Sequence, residues 1–136
     1  MEDLFRHLLK SIKIGGVEIK NRITMAPMGI GGLTKIDGSL GPRAIDYYME
    51  RIRGGVGLIL TGLYKVENEI DPLQRGFPVV TYTALGPFAE LVEAAHAFGT
   101  KIFVQLTAGF GRGTLHGWDR NQQAKLIGYR RYNRRR

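Results

Sequence analysis

The 136-residue chain has no cysteine. That absence excludes a disulfide framework, a catalytic thiolate, a cysteine-ligated zinc ion and a cysteine-held iron–sulfur cluster within the chain, because each of these needs cysteine sulfur. The chain also has no apolar run near the roughly 18 residues that a membrane-spanning helix needs. Its first residues, MEDLFR, are acidic rather than a basic segment leading into an apolar core, so no transmembrane or secretory segment is evident. We expect a cytoplasmic protein with no membrane partner.

Charge is unevenly distributed along the chain, whose net value is +8. Residues 1–112 hold 13 Lys or Arg and 11 Asp or Glu, a net +2, whereas residues 113–136 hold 7 and 1, a net +6. A nucleic-acid-binding fold usually carries its positive charge as a patch on folded elements, so the near-neutral body argues against one. The basic segment predicts a disordered tail that contacts nucleic acid only nonspecifically. An evolved nucleic-acid role, with arginines interleaved with Tyr129 and Tyr132, is the alternative.

The body alternates between the apolar periodicities of strands and helices, and glycine and proline mark where each element ends. A hairpin that turns at Gly15-Gly16, two residues that accept a positive φ, comes first. The order strand, helix, strand, helix, strand then follows, which is typical of right-handed βαβ units around a parallel sheet. The predicted ranges are 12–14 and 17–19 for the hairpin, 23–26, 56–61 and 102–106 for the main strands, and 42–53 and 85–98 for the helices.

No pattern of side chains establishes a metal site or a catalytic acid. The three histidines lie at unrelated positions, where surface roles are the usual explanation. Glu67, Glu69 and Asp71 could offer oxygen ligands to a hard metal ion, but such a run is usually a solvated loop. The glycine-rich stretch after residue 28 does not open a helix at once, so it is a weak dinucleotide-binding fingerprint. We assign no metal ligand and no catalytic residue from these features.

More specific motifs are spread over roughly residues 4–112. They are IKIG at 12–15, VEIKNRITMAPM at 17–28, DYY at 46–48, RIRGGVGLILTG at 51–62, KIFVQL at 101–106 and GFGR at 109–112. Together these motifs resemble the opening of the old yellow enzyme family of flavin oxidoreductases. The resemblance is closest to the branch that contains bacterial 2,4-dienoyl-CoA reductases and enoate reductases.

The resemblance implies an α/β fold, specifically a partial TIM barrel made of the first three βα units after an N-terminal β-hairpin. Residues 1–112 would form this part of the barrel, and residues 113–136 would be the basic tail. The implied cofactor is FMN, held at the carboxyl ends of the strands. The implied chemistry is hydride transfer from NAD(P)H to FMN and then to an activated alkene such as an enone or an enoyl thioester. The flavin-contacting positions that carry over are Ala26, Pro27, Met28, Gly29, Gly62 and Gln105.

These residue types suit the roles that the resemblance implies. Gln105 would hydrogen bond the pyrimidine end of the flavin, because its carboxamide offers both a donor and an acceptor. Gly29 would lie near the reactive edge of the ring, and Gly62 would end the second strand against it. Both glycines allow the backbone to approach closely.

The chain also departs from the family pattern. A TIM barrel needs about 250 residues and eight strands, and this sequence supplies three of those strands. The family's substrate-orienting His pair or His-Asn pair, its flavin-contacting arginine and its phosphate loops come later in the barrel and have no counterpart here. We therefore expect an inactive fragment, with open sheet edges that favour self-association. A module that pairs with a separate barrel remainder, and a nonspecific nucleic-acid binder acting through its tail, remain as alternatives.

Overall fold

A computed structural model of the protein describes residues 5–66 and 81–107. The elements within these ranges follow the predicted order of a hairpin, then alternating strands and helices. They are β1 (Ile12–Ile14), β2 (Val17–Ile19), β3 (Thr24–Met25), α1 (Pro42–Arg53), β4 (Leu58–Lys65), α2 (Tyr82–Ala97) and β5 (Lys101–Thr107). The predicted tail and the acidic run at 67–71 lie outside the described residues.

The hairpin and the first helix have the predicted limits. β1 and β2 pair antiparallel around the Gly15-Gly16 turn, but only Gly15 adopts a left-handed backbone, with φ at +57°. α1 begins at Pro42, which needs no amide partner in the first turn. It ends where Gly55 takes a φ of +90°, a conformation that few side chains tolerate. Gly15 turns the hairpin and Gly55 ends α1 because each takes a left-handed backbone conformation that few other residues tolerate.

The three main strands form a parallel sheet in the order β3-β4-β5. The two helices pack on one face of this sheet and bury an apolar core between them and the strands. The buried members of this core are Ile30, Leu40, Ala44, Tyr48, Met49, Ile52, Val56, Ile59, Tyr64, Leu91 and Ala95. This arrangement confirms the predicted βαβ organisation.

Two element limits differ from the predicted ranges by three residues or more, and the other limits of β3, β4, α2 and β5 differ by one or two residues. The apolar pattern predicts that β4 ends at residue 61, but the strand runs to Lys65, which is 3% exposed. The prediction of an end near Gly62 was wrong, because this glycine lies inside the strand and the apolar residues Leu63 and Tyr64 continue the pairing with β5. α2 begins at Tyr82, three residues before the predicted start, and contains Pro87 within its first turns.

Side-chain hydrogen bonds join the connections at the amino-terminal end of the sheet. Asn21 donates through Nδ2 to the Gly55 carbonyl at 2.8 Å and accepts from the Ile23 amide at 3.0 Å. The buried Thr100 hydroxyl donates to the Val56 carbonyl at 2.7 Å. These bonds tie β3, the end of α1 and the end of α2 together, as expected for the stability-bearing end of a βα barrel.

Candidate functional site

The residues predicted to contact a flavin lie toward the carboxyl-terminal end of the sheet. The segment 26–29 follows β3 directly and is exposed, whereas Gly62 lies within β4 and is buried. Gln105 lies in β5 and is also exposed. Because the strands are parallel and β4 is central, the three positions form a row across neighbouring strands. We call Ala26–Gly29, Gly62 and Gln105 the strand-end row.

Met28 and Gly29 pack directly against Gly62. A Cβ atom built on Gly62 would lie 2.9 Å from the Met28 carbonyl carbon and 3.0 Å from the Gly29 Cα, with the Met28 carbonyl oxygen closer still. Backbone atoms cannot give way as a flexible side chain can, so glycine is required at this position for space. The contact between β4 and the segment after β3 is therefore a backbone-to-backbone contact.

A β-bulge interrupts the ladder between β4 and β5 at this level. The Leu60–Phe103 and Leu63–Gln105 pairs flank the irregularity, so that β4 has two intervening residues where β5 has one. The two intervening residues of β4 are Thr61 and Gly62. Bulges often lie next to active sites, where they change the direction of a strand and the aim of its side chains.

Two hydrogen bonds that do not belong to the regular ladder give partners to backbone amides at the bulge. The Gly62 amide donates to the hydroxyl oxygen of Tyr48 at 3.3 Å. The Gln105 amide donates to the Thr61 hydroxyl at 3.2 Å. Burial raises the pKa of the Tyr48 hydroxyl, against the opposing effect of the Gly62 amide, so this hydroxyl stays neutral over the physiological pH range.

The neighbouring tyrosine of α1 contacts the other side of the same junction. The Tyr47 hydroxyl donates to the Met28 sulfur at 3.3 Å. The Arg51 guanidinium lies 3.8 Å over the Tyr47 ring and donates to the Tyr47 carbonyl at 2.8 Å. Tyr47 thus bonds to Met28 and Tyr48 bonds to Gly62, so consecutive tyrosines of α1 hold the two residues that contact each other.

The side chain of Gln105 is available for a ligand. It is exposed, and its carboxamide makes no hydrogen bond to any residue that the structure describes. The structure brings Met28 and Gly29 into contact with Gly62 and places Gln105 on the adjacent strand, where it pairs with Leu63. Ala26 and Pro27 lead into this contact from the end of β3.

Neither metal ligands nor histidines accompany this site within the described ranges. No group of three His, Asp or Glu residues there could hold a metal ion. His7 and His96 are exposed and lie outside the strand-end row. No helix in the same part of the chain is long and apolar enough to cross a membrane.

Sequence reasoning did not identify Tyr48, Tyr47 and Thr61 as contributors to this region. Tyr48 repeats with Ile45, Met49 and Ile52 at helical spacing, a pattern that indicates packing in the core, and its complete burial agrees with that role. The signal that distinguishes it is its bond to Gly62, and that bond depends on a bulge whose position follows only from strand register.

Comparison with known proteins identifies relatives across most of the chain. The model of the NADH:flavin oxidoreductase / NADH oxidase family matches residues 7–126, which extends past residue 112. A cinnamate reductase of Clostridium sporogenes is 46% identical over 118 residues, covering 82% of this chain and 17% of the relative. An NADH oxidase of Thermoanaerobacter brockii is 40% identical over 119 residues, with 83% and 17% covered.

Solved structures show the same fold. The old yellow enzyme of Pichia sp. AKU4542 superposes with a TM-score of 0.66 at 27% identity, covering 74% of this chain and 26% of that protein. A 2-naphthoyl-CoA reductase superposes with a TM-score of 0.70 at 25% identity, covering 82% and 17%. The chain therefore has the predicted partial TIM-barrel fold, and it spans 17% of the length of the first two curated relatives.

Proposed function

Because the chain belongs to the NADH:flavin oxidoreductase / NADH oxidase family, we propose that its strand-end row forms one wall of an FMN site. The observation that carries this proposal is the placement of the Gln105 carboxamide, which makes no hydrogen bond within residues 5–66 and 81–107, beside the close backbone contact of Gly62 with Met28-Gly29. Gly62 and Gln105 lie on neighbouring parallel strands and Met28-Gly29 follow the third, toward the end where barrel enzymes bind their ligands.

The residues present fit the polar edge and the flat face of a flavin. A carboxamide supplies one donor and one acceptor side by side, which matches the alternating N–H and C=O groups of the pyrimidine end. Gly29 is exposed and carries no side chain, so it leaves the backbone open to close approach by a planar ring. When bound, FMN would supply the hydride chemistry, and this part of the protein would hold and orient it.

For the complete barrel we propose reduction of an activated alkene, with NAD(P)H as the hydride donor. The names of two relatives support this substrate class, because cinnamate and 2-naphthoyl-CoA both carry unsaturation conjugated to a carbonyl group. This chain would contribute the first three βα units of such a barrel. The substrate-orienting groups would come from later strands.

We further propose that the free edge of β5 pairs with a strand of another copy of the chain. Among the described residues β5 pairs only with β4, and it has neither a proline nor an acidic residue along its length. Val104 and Leu106 are 39% and 60% exposed and line an apolar groove of about 200 Å³ beside α2. An exposed apolar edge strand of this kind promotes strand pairing between molecules.

The flavin proposal is tested by titrating FMN with the purified chain and following flavin fluorescence. We expect saturable quenching by the wild type. Gln105→Ala should weaken binding by roughly three- to tenfold, which is the range of one net hydrogen bond. Gln105→Glu should weaken it similarly, since the shape is kept but the donor is replaced by a charged acceptor.

Glu93→Ala is the matched control, because Glu93 is exposed on α2 and lies outside the strand-end row. It should bind FMN as the wild type does. Quenching without saturation would contradict the flavin site. Equal affinity for the wild type and Gln105→Ala would remove Gln105 from it.

A further inference from the structure

The bulge in β4 leaves one backbone donor outside the ladder, and a single buried side chain accepts it. The Gly62 amide donates to the Tyr48 hydroxyl, and Tyr48 is 0% exposed at the centre of the core. A buried amide without a partner destabilises the fold, because it gives up its hydrogen bond to water and gains none in return. This hydroxyl is therefore what allows β4 to bulge at Gly62 while remaining buried.

The bulge in turn determines where the segment after β3 lies. Met28 and Gly29 contact the Gly62 backbone, so a shift of Gly62 by a few tenths of an ångström would be passed to them. Tyr47 adds a second tie through its bond to the Met28 sulfur. The ring planes of Tyr47 and Tyr48 meet at 74° with centroids 5.5 Å apart, so the two tyrosines are held in contact.

The same bulge influences Gln105. In a regular ladder each residue of β4 would pair in step with β5, but here the pairing resumes at Leu63 and Gln105 after one extra residue. Because a one-residue change of register reverses which face a side chain occupies, the bulge decides which residues of β4 lie beside Gln105. Tyr48 thus acts on both ends of the strand-end row through one hydrogen bond.

We infer that Tyr48 is a positioning residue that fixes the Gly62 bulge and thereby sets the spacing between Met28-Gly29 and Gln105 for a flavin ring. The inference rests on the proposed FMN site for its functional meaning. Its structural part, that the hydroxyl holds the Gly62 amide and the adjoining segment, is independent of any ligand.

The test compares Tyr48→Phe with Tyr64→Phe. Both tyrosines belong to the same buried core, but the Tyr64 hydroxyl has no hydrogen-bond partner in the described part of the chain. Each variant removes one buried hydroxyl and keeps the ring. A loss of function that follows from general core disturbance would therefore appear in both.

Two readouts are recorded on the whole chain. The first is the amide signals of Gly62 and Gly29 in ¹⁵N-labelled protein without ligand. The second is the FMN titration. Tyr48→Phe should move the Gly62 signal in the direction of a lost hydrogen bond and also move that of Gly29. It should weaken FMN binding by roughly three- to tenfold. Tyr64→Phe should change neither the two glycine signals nor the affinity.

The outcomes separate the two claims. Unchanged Gly62 and Gly29 signals in Tyr48→Phe would overturn the inference, whatever FMN does. Moved signals with a wild type that does not bind FMN would support the positioning role and contradict the proposed function. Moved signals with unchanged FMN affinity would overturn the link between the bulge and the flavin site.

Discussion

At the scale of single residues, Gly62 is a position where the backbone leaves no room for a side chain. Its surroundings are backbone atoms of Met28 and Gly29, which cannot rotate away from an added methyl group. Gly86 in α2 offers the opposite case, because a Cβ atom there would meet nothing within 4 Å. The two glycines therefore separate a requirement for space from the general effect of adding a methyl group.

Gly62→Ala should lower the free energy of unfolding by about 1–3 kcal/mol, the usual cost of overpacking. Gly86→Ala should raise it by about 0.5–1 kcal/mol, because alanine favours a helix interior over glycine. Urea unfolding monitored by circular dichroism measures both changes. A Gly62→Ala variant as stable as the wild type would show that the segment after β3 is free to move away.

Tyr64 is a second residue with a specific expectation. Burial raises the pKa of its hydroxyl above the ordinary value near 10, and its 5% exposure agrees with that cause. The unfolded chain therefore loses this proton at a lower pH than the folded chain. Ionisation of Tyr64 therefore does not lower the free energy of unfolding below about pH 10. Above that pH the free energy of unfolding falls as the pH rises through the folded-state pKa.

Tyr64→Phe should remove this tyrosine's contribution to alkaline destabilisation. At pH 8 the variant should be as stable as the wild type or up to about 1 kcal/mol more stable, because the lost hydroxyl has no partner among the described residues. At pH 10.5 its advantage should be larger. Urea unfolding at both pH values measures this, and an advantage that shrinks at high pH would contradict the assigned pKa direction.

At the scale of elements, local chemistry was sufficient to predict where most strands and helices lie. Pro42 and Gly54-Gly55 delimit α1 because each restricts or permits a particular backbone conformation. The end of β4 could not be predicted in the same way. Glycine is typical of strand ends, so Gly62 predicts an end of β4. In the structure the Tyr48 hydroxyl replaces the ladder partner of the Gly62 amide, and the strand continues.

The candidate site likewise combines features that the sequence predicts with features that it does not predict. The positions of Met28, Gly29 and Gln105 at strand ends follow from their place in the sequence pattern and from the family resemblance. The contact between Gly62 and Met28-Gly29, and the bonds that support it, depend on strand register. Register is set by packing between residues that are distant in sequence, so a single sequence does not reveal it.

At the scale of the whole molecule, the three parallel strands of residues 5–66 and 81–107, with helices on one face, do not close a barrel. The free edge of β5 and the apolar groove beside it remain exposed in the described structure. The chain covers 17% of its first curated relatives, in keeping with this partial architecture. Association through the free edge is the consequence we expect for the isolated chain.

Sedimentation velocity over a range of concentrations should detect reversible self-association of the wild type. Leu106→Lys should shift the chain toward monomer, because a charge on an edge strand opposes pairing with another strand. Ile36→Lys is the control, since Ile36 is fully exposed in a loop away from β5. A wild type that stays monomeric, or equal association in both variants, would contradict an interface at this edge.

Contact between FMN and the strand-end row is the premise of the proposed function, and ligand-induced shifts in the ¹⁵N spectrum report this contact residue by residue. Adding FMN should move the amide signals of Gly29 and Gly62 and the side-chain signals of Gln105. Those of Asn21 and Thr100, at the opposite end of the sheet, should stay in place. Shifts confined to the amino-terminal end, or no shifts at saturating FMN, would contradict the claim.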